Sequence, residues 1–202
     1  MIKFKIVALA LAAAVVVLLA SSGGSDQPAG THGGVASGEA TGLAAAVPAE
    51  LWKGCSMQSP PRPAELPGVP GATGGLDESA VCHVPGQGIE LTLNSFHTKE
   101  SMNAAYQNQL TATDVPVDSG ECSVTGFHSE SLWYHGGTEG EVGGRSFCLV
   151  DGSTGSYIAW TVLPPPGSTE PRWLFAIAGS SGTDHPGLLD WWNVQHHMIG
   201  YR

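Results

Sequence analysis

The chain predicts an α+β fold: an antiparallel β-sheet with two packed helices and two disulfides. Three observations lead there. A two-residue alternation over residues 89–94, with Ile89, Leu91 and Leu93 on one face, gives way at Thr98 to a helical period. Four apolar and aromatic blocks follow at 132–135, 145–150, 157–163 and 173–178, separated by turn-forming residues. Finally, Cys55 and Cys82 lie 27 positions apart and Cys122 and Cys148 lie 26 apart, so sequential bridges would close two loops of nearly equal size.

Taken in order, residues 1–22 read as a signal peptide. Lys3 and Lys5 supply its positive start, and residues 6–20 are apolar without interruption. At ~1.5 Å per residue that run reaches ~22 Å, short of the ~30 Å hydrocarbon core, so a cleaved export segment is expected. An uncleaved, tilted N-terminal anchor is the alternative. The stretch Leu19-Ala20-Ser21-Ser22-Gly23-Gly24 resembles a bacterial lipoprotein processing site, but Ser22 stands where that motif needs its lipid-bearing cysteine. Residues 23–47, rich in Gly, Ala, Ser and Thr, offer little to bury and are expected to form a flexible tether. Residues 48–202 then make a single disulfide-stabilised extracellular domain, long enough for one core.

Within that domain, Pro48, Pro60, Pro61, Pro63, Pro67 and Pro70 argue against helix and for an extended entry segment packed through Trp52 and Leu66. Residues 76–81 suit a short strand or a helical turn. After the strand at 89–94, Met102, Ala105, Tyr106 and Leu110 recur at helical spacing behind Thr98 as N-cap, with Glu100 in the dipole-favoured first turn. Asp151-Gly152-Ser153-Thr154-Gly155 predicts a hairpin turn, and Pro164-Pro165-Pro166 ends the block before it. The blocks at 157–163 and 173–178 are apolar on both faces, as central strands are. A last helix starts near Asp184 with Pro186 in its first turn. Its adjacent Trp191 and Trp192 lie about 100° apart, so one is expected in the core and the other at its edge. Both halves run cysteine loop, strand, helix, which would fit a duplication, although no residue-level repeat supports one.

The chemistry is harder to read. Removing Lys3 and Lys5 with the leader leaves six basic residues against 18 acidic ones, a net charge near −12. Such acidity argues against nucleic acid and anionic lipid as partners and permits a cationic one. Spacing alone leaves three pairings open for four cysteines. A zinc site would bring cysteines in close pairs, and none is present, so structural disulfides are expected. His83, His97, His128, His135, His185, His196 and His197 show no helical ligand spacing and read as surface or capping residues. Gly179-Ser180-Ser181-Gly182 and Gly152-Ser153-Thr154-Gly155 lack nucleophile-elbow spacing and read as turns. Glu139 and Glu141 read as a solvated acidic loop rather than a glycosidase pair. Arg145 suits either an ion pair with a buried acid such as Asp190 or an anionic ligand. Trp133 and Tyr134, beside Gly136-Gly137, suit a shallow groove for carbohydrate or peptide.

Five short motifs follow one another along the chain: Ser101-Met102-Asn103-Ala104-Ala105-Tyr106, Gly120-Glu121-Cys122, Gly144-Arg145-Ser146-Phe147-Cys148, Ile158-Ala159-Trp160-Thr161 and Leu188-Leu189-Asp190-Trp191-Trp192. In this order they resemble the extracellular, sensor-like domains of actinobacterial serine/threonine protein kinases and related secreted or lipoprotein-like proteins. The Ala/Gly/Pro/Val bias and scarce lysine also suit a GC-rich bacterial genome. The resemblance implies an exported envelope module and no catalytic residues. The chain carries no glycine-rich phosphate loop, His-Arg-Asp or Asp-Phe-Gly motif, so it is not itself a kinase. The expectation is therefore a non-catalytic sensor-like or ligand-binding module, secreted or held on the outer face of the cytoplasmic membrane through residues 1–22. No cofactor is expected, and the ligand would be a cell-wall fragment, peptide or envelope protein. A small secreted hydrolase with a site assembled from distant residues is the alternative.

Overall fold

The computed structural model describes residues 41–135, 140–168, 171–182 and 184–200; the expected signal peptide and most of the tether lie outside them. In chain order the elements are α1 (Leu43–Ala46), α2 (Ala49–Trp52), β1 (Cys55–Met57), β2 (Leu76–Val84), β3 (Ile89–Phe96), α3 (Lys99–Thr111), β4 (Ser129–His135), β5 (Glu141–Asp151), β6 (Gly155–Val162), β7 (Trp173–Ser180) and α4 (His185–Gln195). The seven strands form one antiparallel sheet in the order β1-β2-β3-β7-β6-β5-β4. The fold is α+β with both disulfides, Cys55–Cys82 and Cys122–Cys148, as the sequence predicts.

Burial on both faces of the central strands follows from helices on both faces. Side chains of one parity (Leu91 and Leu93 of β3, Ile158 and Trp160 of β6, Ala176 of β7) meet α1, α2 and α4. The other parity (Phe96, Phe147, Ala159, Phe175) meets Met102, Ala105, Tyr106 and Leu110 of α3. Thr98 caps α3 by accepting the Ser101 amide at 3.1 Å, and Asp184 caps α4 by accepting the Gly187 amide at 3.1 Å. Each cap contributes about 1 kcal/mol. A two-fold duplication across the antiparallel β3–β7 pair would leave both helices on one face, whereas α3 and α4 lie on opposite faces.

Three expectations are corrected, and of the two readings offered for 76–81 the strand holds. The tether does not run to residue 47, because Leu43, Ala46 and Val47 are buried core residues and the Leu43 amide donates to Glu78 Oε2 at 2.7 Å. The entry segment contains a helical turn, α2, since Pro48 is a favoured lead-in and no proline follows until Pro60; the Pro48 carbonyl accepts the Trp52 amide at 2.8 Å. The stretch at 76–81 is entirely strand, paired to both β1 and β3. Both Trp191 and Trp192 are buried, because α4 lies with the bisector of the pair over Trp160. Their rings meet its ring edge-on at 6.4 and 6.3 Å.

Beyond Pro60 the proline-rich segment lies over the α3 face, where a proline-poor strand would otherwise supply backbone bonds. Buried side chains substitute for a ladder: Asn94 Oδ1 accepts the Ala64 amide and Gln109 Oε1 accepts the Leu66 amide, at 2.5 and 2.8 Å.

Candidate functional site

Two neighbouring constellations surround the edge strand β4, one on each face of the sheet. On the α3 face, Glu130 is buried with 0% side-chain exposure, and four donors meet its carboxylate. Tyr106 Oη–H and Arg145 Nε–H donate to Oε1 at 2.9 and 2.5 Å; Arg145 Nη2–H and the Asp118 amide donate to Oε2 at 2.7 and 2.9 Å. Arg145 also reaches Asp118 Oδ1 at 2.5 Å. Burial by itself raises the Glu130 pKa, but the Arg145 fork, the Asp118 amide and the Tyr106 hydroxyl together hold it below the usual carboxylate value. Burial and the Glu130 charge push the Tyr106 hydroxyl up. Arg145 is thus committed to Glu130 and Asp118 rather than to Asp190, which sits on α4 across the sheet. Two carboxylates already balance its charge, so an anionic ligand gains little there.

On the α4 face lies a cavity of about 440 Å³, lined by Glu121, Cys122, Ser131, Trp133, Tyr134, Ser146, Trp192, Asn193, His196 and His197. A β-bulge shapes it. Trp133 of β4 faces Gly144 and Tyr134 faces Val142, leaving Gly143 as the extra residue on β5. A Cβ at Gly143 would collide with the Trp133 ring, so glycine there lets the indole lie flat on β5. The Trp133 Nε1–H then donates to the Thr161 carbonyl at 2.9 Å. Trp133 is only 4% exposed and forms floor rather than an open stacking platform; Tyr134, half-buried, lies at the rim.

The wall opposite comes from the end of α4. His196 Nδ1 donates to the Trp192 carbonyl at 2.6 Å, a capping bond, and its ring stacks on Trp192 at 4.0 Å and meets Trp133 edge-on at 4.9 Å. His135 also meets Trp133 edge-on, at 4.6 Å, and His197 stands edge-on to His196 at 5.4 Å. Burial pushes the His196 pKa down to about 4, with the His197 and His135 charges adding to the effect and the Trp192 carbonyl opposing it. Burial and His197 likewise lower His135. No three His, Cys, Asp or Glu side chains among the described residues converge as metal ligands. Among the described residues the Trp192 indole, 7% exposed, has no acceptor for its Nε1–H.

A depressed histidine makes stability pH-dependent in a defined direction. Between pH ~6.5 and ~4 the unfolded chain binds a proton at residue 196 that the folded domain does not, so stability falls as pH drops through that window. The loss, discounted for the ring's partial exposure, is about 2 kcal/mol. Unfolding free energies measured from pH 7 to 4.5 are expected to flatten in His196→Gln; an unchanged slope would show that His196 does not carry the effect.

Of the residues singled out from sequence, Trp133 and Tyr134 line the cavity, whereas Arg145 lies across the sheet. Glu121, Ser131, Ser146, Trp192, Asn193, His196 and His197 do not read as one site in the sequence, because they come from four separated segments. Glu141 is exposed at the start of β5, and Glu139 lies outside the described residues. Among the described residues no helix is long and apolar enough to cross a membrane. No family model matches the chain, and comparisons with curated proteins and with solved structures return no match.

Proposed function

We propose that this chain is an exported, sensor-like binding module of the cell envelope whose ligand seat is the cavity between β4 and the end of α4. The observation that carries the reading is the make-up of that cavity. It has the volume of a small-ligand site and an apolar Trp133–Trp192 floor. Its lining offers hydroxyl, amide and imidazole groups, one exposed carboxylate and no lysine or arginine. Such a lining fits an uncharged, oxygen-rich ligand, such as a glycan or peptide fragment of the cell wall, better than an anion. The two disulfides fit an oxidising compartment, and the resemblance to envelope kinase sensor domains points the same way.

The alternative, a small secreted hydrolase, draws on Ser131, Ser146, His196 and His197 sharing one cavity. No serine–histidine hydrogen bond joins them among the described residues, so an activated nucleophile lacks its base.

Titration of the disulfide-intact domain with soluble cell-wall glycan and stem-peptide fragments decides between the readings. A saturable change in tryptophan emission, without turnover, is expected. Replacing exposed Asn193 and His197 by alanine should weaken it about tenfold with the unfolding midpoint unchanged. Chemical turnover of a fragment would instead select the hydrolase. No response to any fragment would overturn the cavity as ligand seat.

A further inference from the structure

The two edges of the sheet are protected very differently. At one end β1 is three residues long, tied to β2 by Cys55–Cys82 and followed by prolines. At the other end β4 is seven residues long, with neither lysine nor proline to blunt it. The segment ahead of β4 crosses that edge only once. Asp118 pairs with Arg145 on the α3 face, Cys122 is bonded to Cys148 on the α4 face, and between them the chain rounds β4 at Glu130. Positive φ angles at Asp118 (51°) and Gly120 (119°) make the turn.

At the crossing the Gly120 amide donates to the Glu130 carbonyl at 3.3 Å, and the Glu130 amide donates to Ser119 Oγ at 3.1 Å. Glu130 therefore turns its backbone polar groups outward. In an antiparallel ladder these positions alternate, so Leu132 and Tyr134 turn theirs outward as well. No described residue pairs with either. The Arg145 amide, opposite Leu132, bonds Thr161 Oγ1 on the β6 side, as this phase requires.

We propose that this open edge, Leu132 to Tyr134, is a docking strand that captures an extended basic polypeptide segment by strand addition. Charge selects that occupant. Residues 112–145 hold Asp114, Asp118, Glu121, Glu130, Glu139 and Glu141 against the single cation Arg145, which Glu130 and Asp118 already neutralise. A second copy of this chain would bring the same acidic surround against itself, at a net charge of −10 per chain, and is repelled. A strand rich in Lys or Arg is attracted, its main chain completing the ladder and its side chains meeting Glu121 and Glu141. This concerns a partner chain and does not require the cavity to hold a small ligand.

The test uses the disulfide-intact domain and a capped octapeptide alternating lysine with threonine. Amide exchange at Leu132 and Tyr134 is expected to slow at least tenfold on adding peptide. N-methylation of the peptide on one hydrogen-bonding edge should weaken binding at least tenfold. A glutamate-for-lysine peptide should not bind, and the Glu121→Lys, Glu141→Lys double variant, exposed at both sites, should lose at least fivefold. Leu132→Pro removes an outward N–H and no bond of the β4–β5 ladder, and should likewise lose binding; if it fails to fold, the charge variant and the methylated peptide still decide. Binding unaffected by N-methylation, self-association through β4 in sedimentation, or no binding at low salt would each overturn the proposal. Because Glu121 also lines the cavity, Glu141→Lys alone separates this proposal from the cavity reading: it should weaken peptide binding and leave the cell-wall fragment titration unchanged.

Discussion

Replacing Arg145 by methionine is expected to destabilise the domain by about 3–5 kcal/mol, the cost of leaving a buried carboxylate without its counter-charge. Glu130 has no exposed side-chain surface, whereas the Arg145 side chain is 31% exposed and Asp118 72% exposed. The Arg145–Asp118 contact is therefore a screened surface pair worth about 0–1 kcal/mol, and the effect lives in the fork onto Glu130. Lysine at 145 keeps the charge but loses the two parallel bonds, so Arg145→Lys should recover only part of the loss. A pH signature separates this mechanism from simple loss of packing. In the native domain Glu130 is held below its usual pKa, so its contribution is present above the unfolded value and lost as pH falls through the folded one. Without Arg145 the buried carboxylate is left with its desolvation cost, and protonation relieves it. The gap between native protein and Arg145→Met should therefore narrow on acidification. The double variant Glu130→Gln, Arg145→Met should be more stable than Arg145→Met alone. Urea midpoints at pH 7.5 and 4.5 check all of this, and a loss below 1 kcal/mol at pH 7.5 would reduce the cluster to a surface ion pair.

That the partner of Arg145 is Glu130 and not Asp190 shows where reading the chain stops. Periodicity places β3, α3, the two central strands and α4, because each buries a face with its own repeat. Thr98 and Asp184 announce their caps by residue type alone. Ion-pair partners depend on strand register: Leu132 opposes Arg145, and this puts Glu130 within reach of the guanidinium. No local pattern encodes which acid that will be. Residues 43–47 read as tether for a related reason, since a short Ala-rich turn carries no apolar repeat until a sheet is there to bury it. The cavity is less legible still. Trp133 and Tyr134 are conspicuous as aromatics beside glycines, but the bulge at Gly143 that seats Trp133 and the α4 end that faces it meet only in three dimensions.

Removing either disulfide tests how far stability and site are separable. The bridges close loops of separation 27 and 26, so the chain-entropy model assigns each roughly 3.5 kcal/mol. Alanine pairs at Cys55/Cys82 and at Cys122/Cys148 should thus lower the unfolding free energy by similar amounts. Their consequences for binding should differ. Cys55–Cys82 fastens β1, at the sheet edge remote from the cavity, and its loss should leave cell-wall fragment affinity within about twofold in the folded protein. Cys122–Cys148 holds the Glu121–Cys122 wall of the cavity onto β5, and it is the covalent pin of the crossing segment around β4. Without it that segment keeps its Asp118–Arg145 pair and the hydrogen bonds of Asp118, Ser119 and Gly120 to Glu130. Affinity at the cavity should fall at least tenfold under conditions where circular dichroism shows the variant fully folded. Equal binding by the two variants would mean that the noncovalent attachments at Asp118, Ser119 and Gly120 suffice to position the wall, and that the second disulfide serves stability without shaping the site.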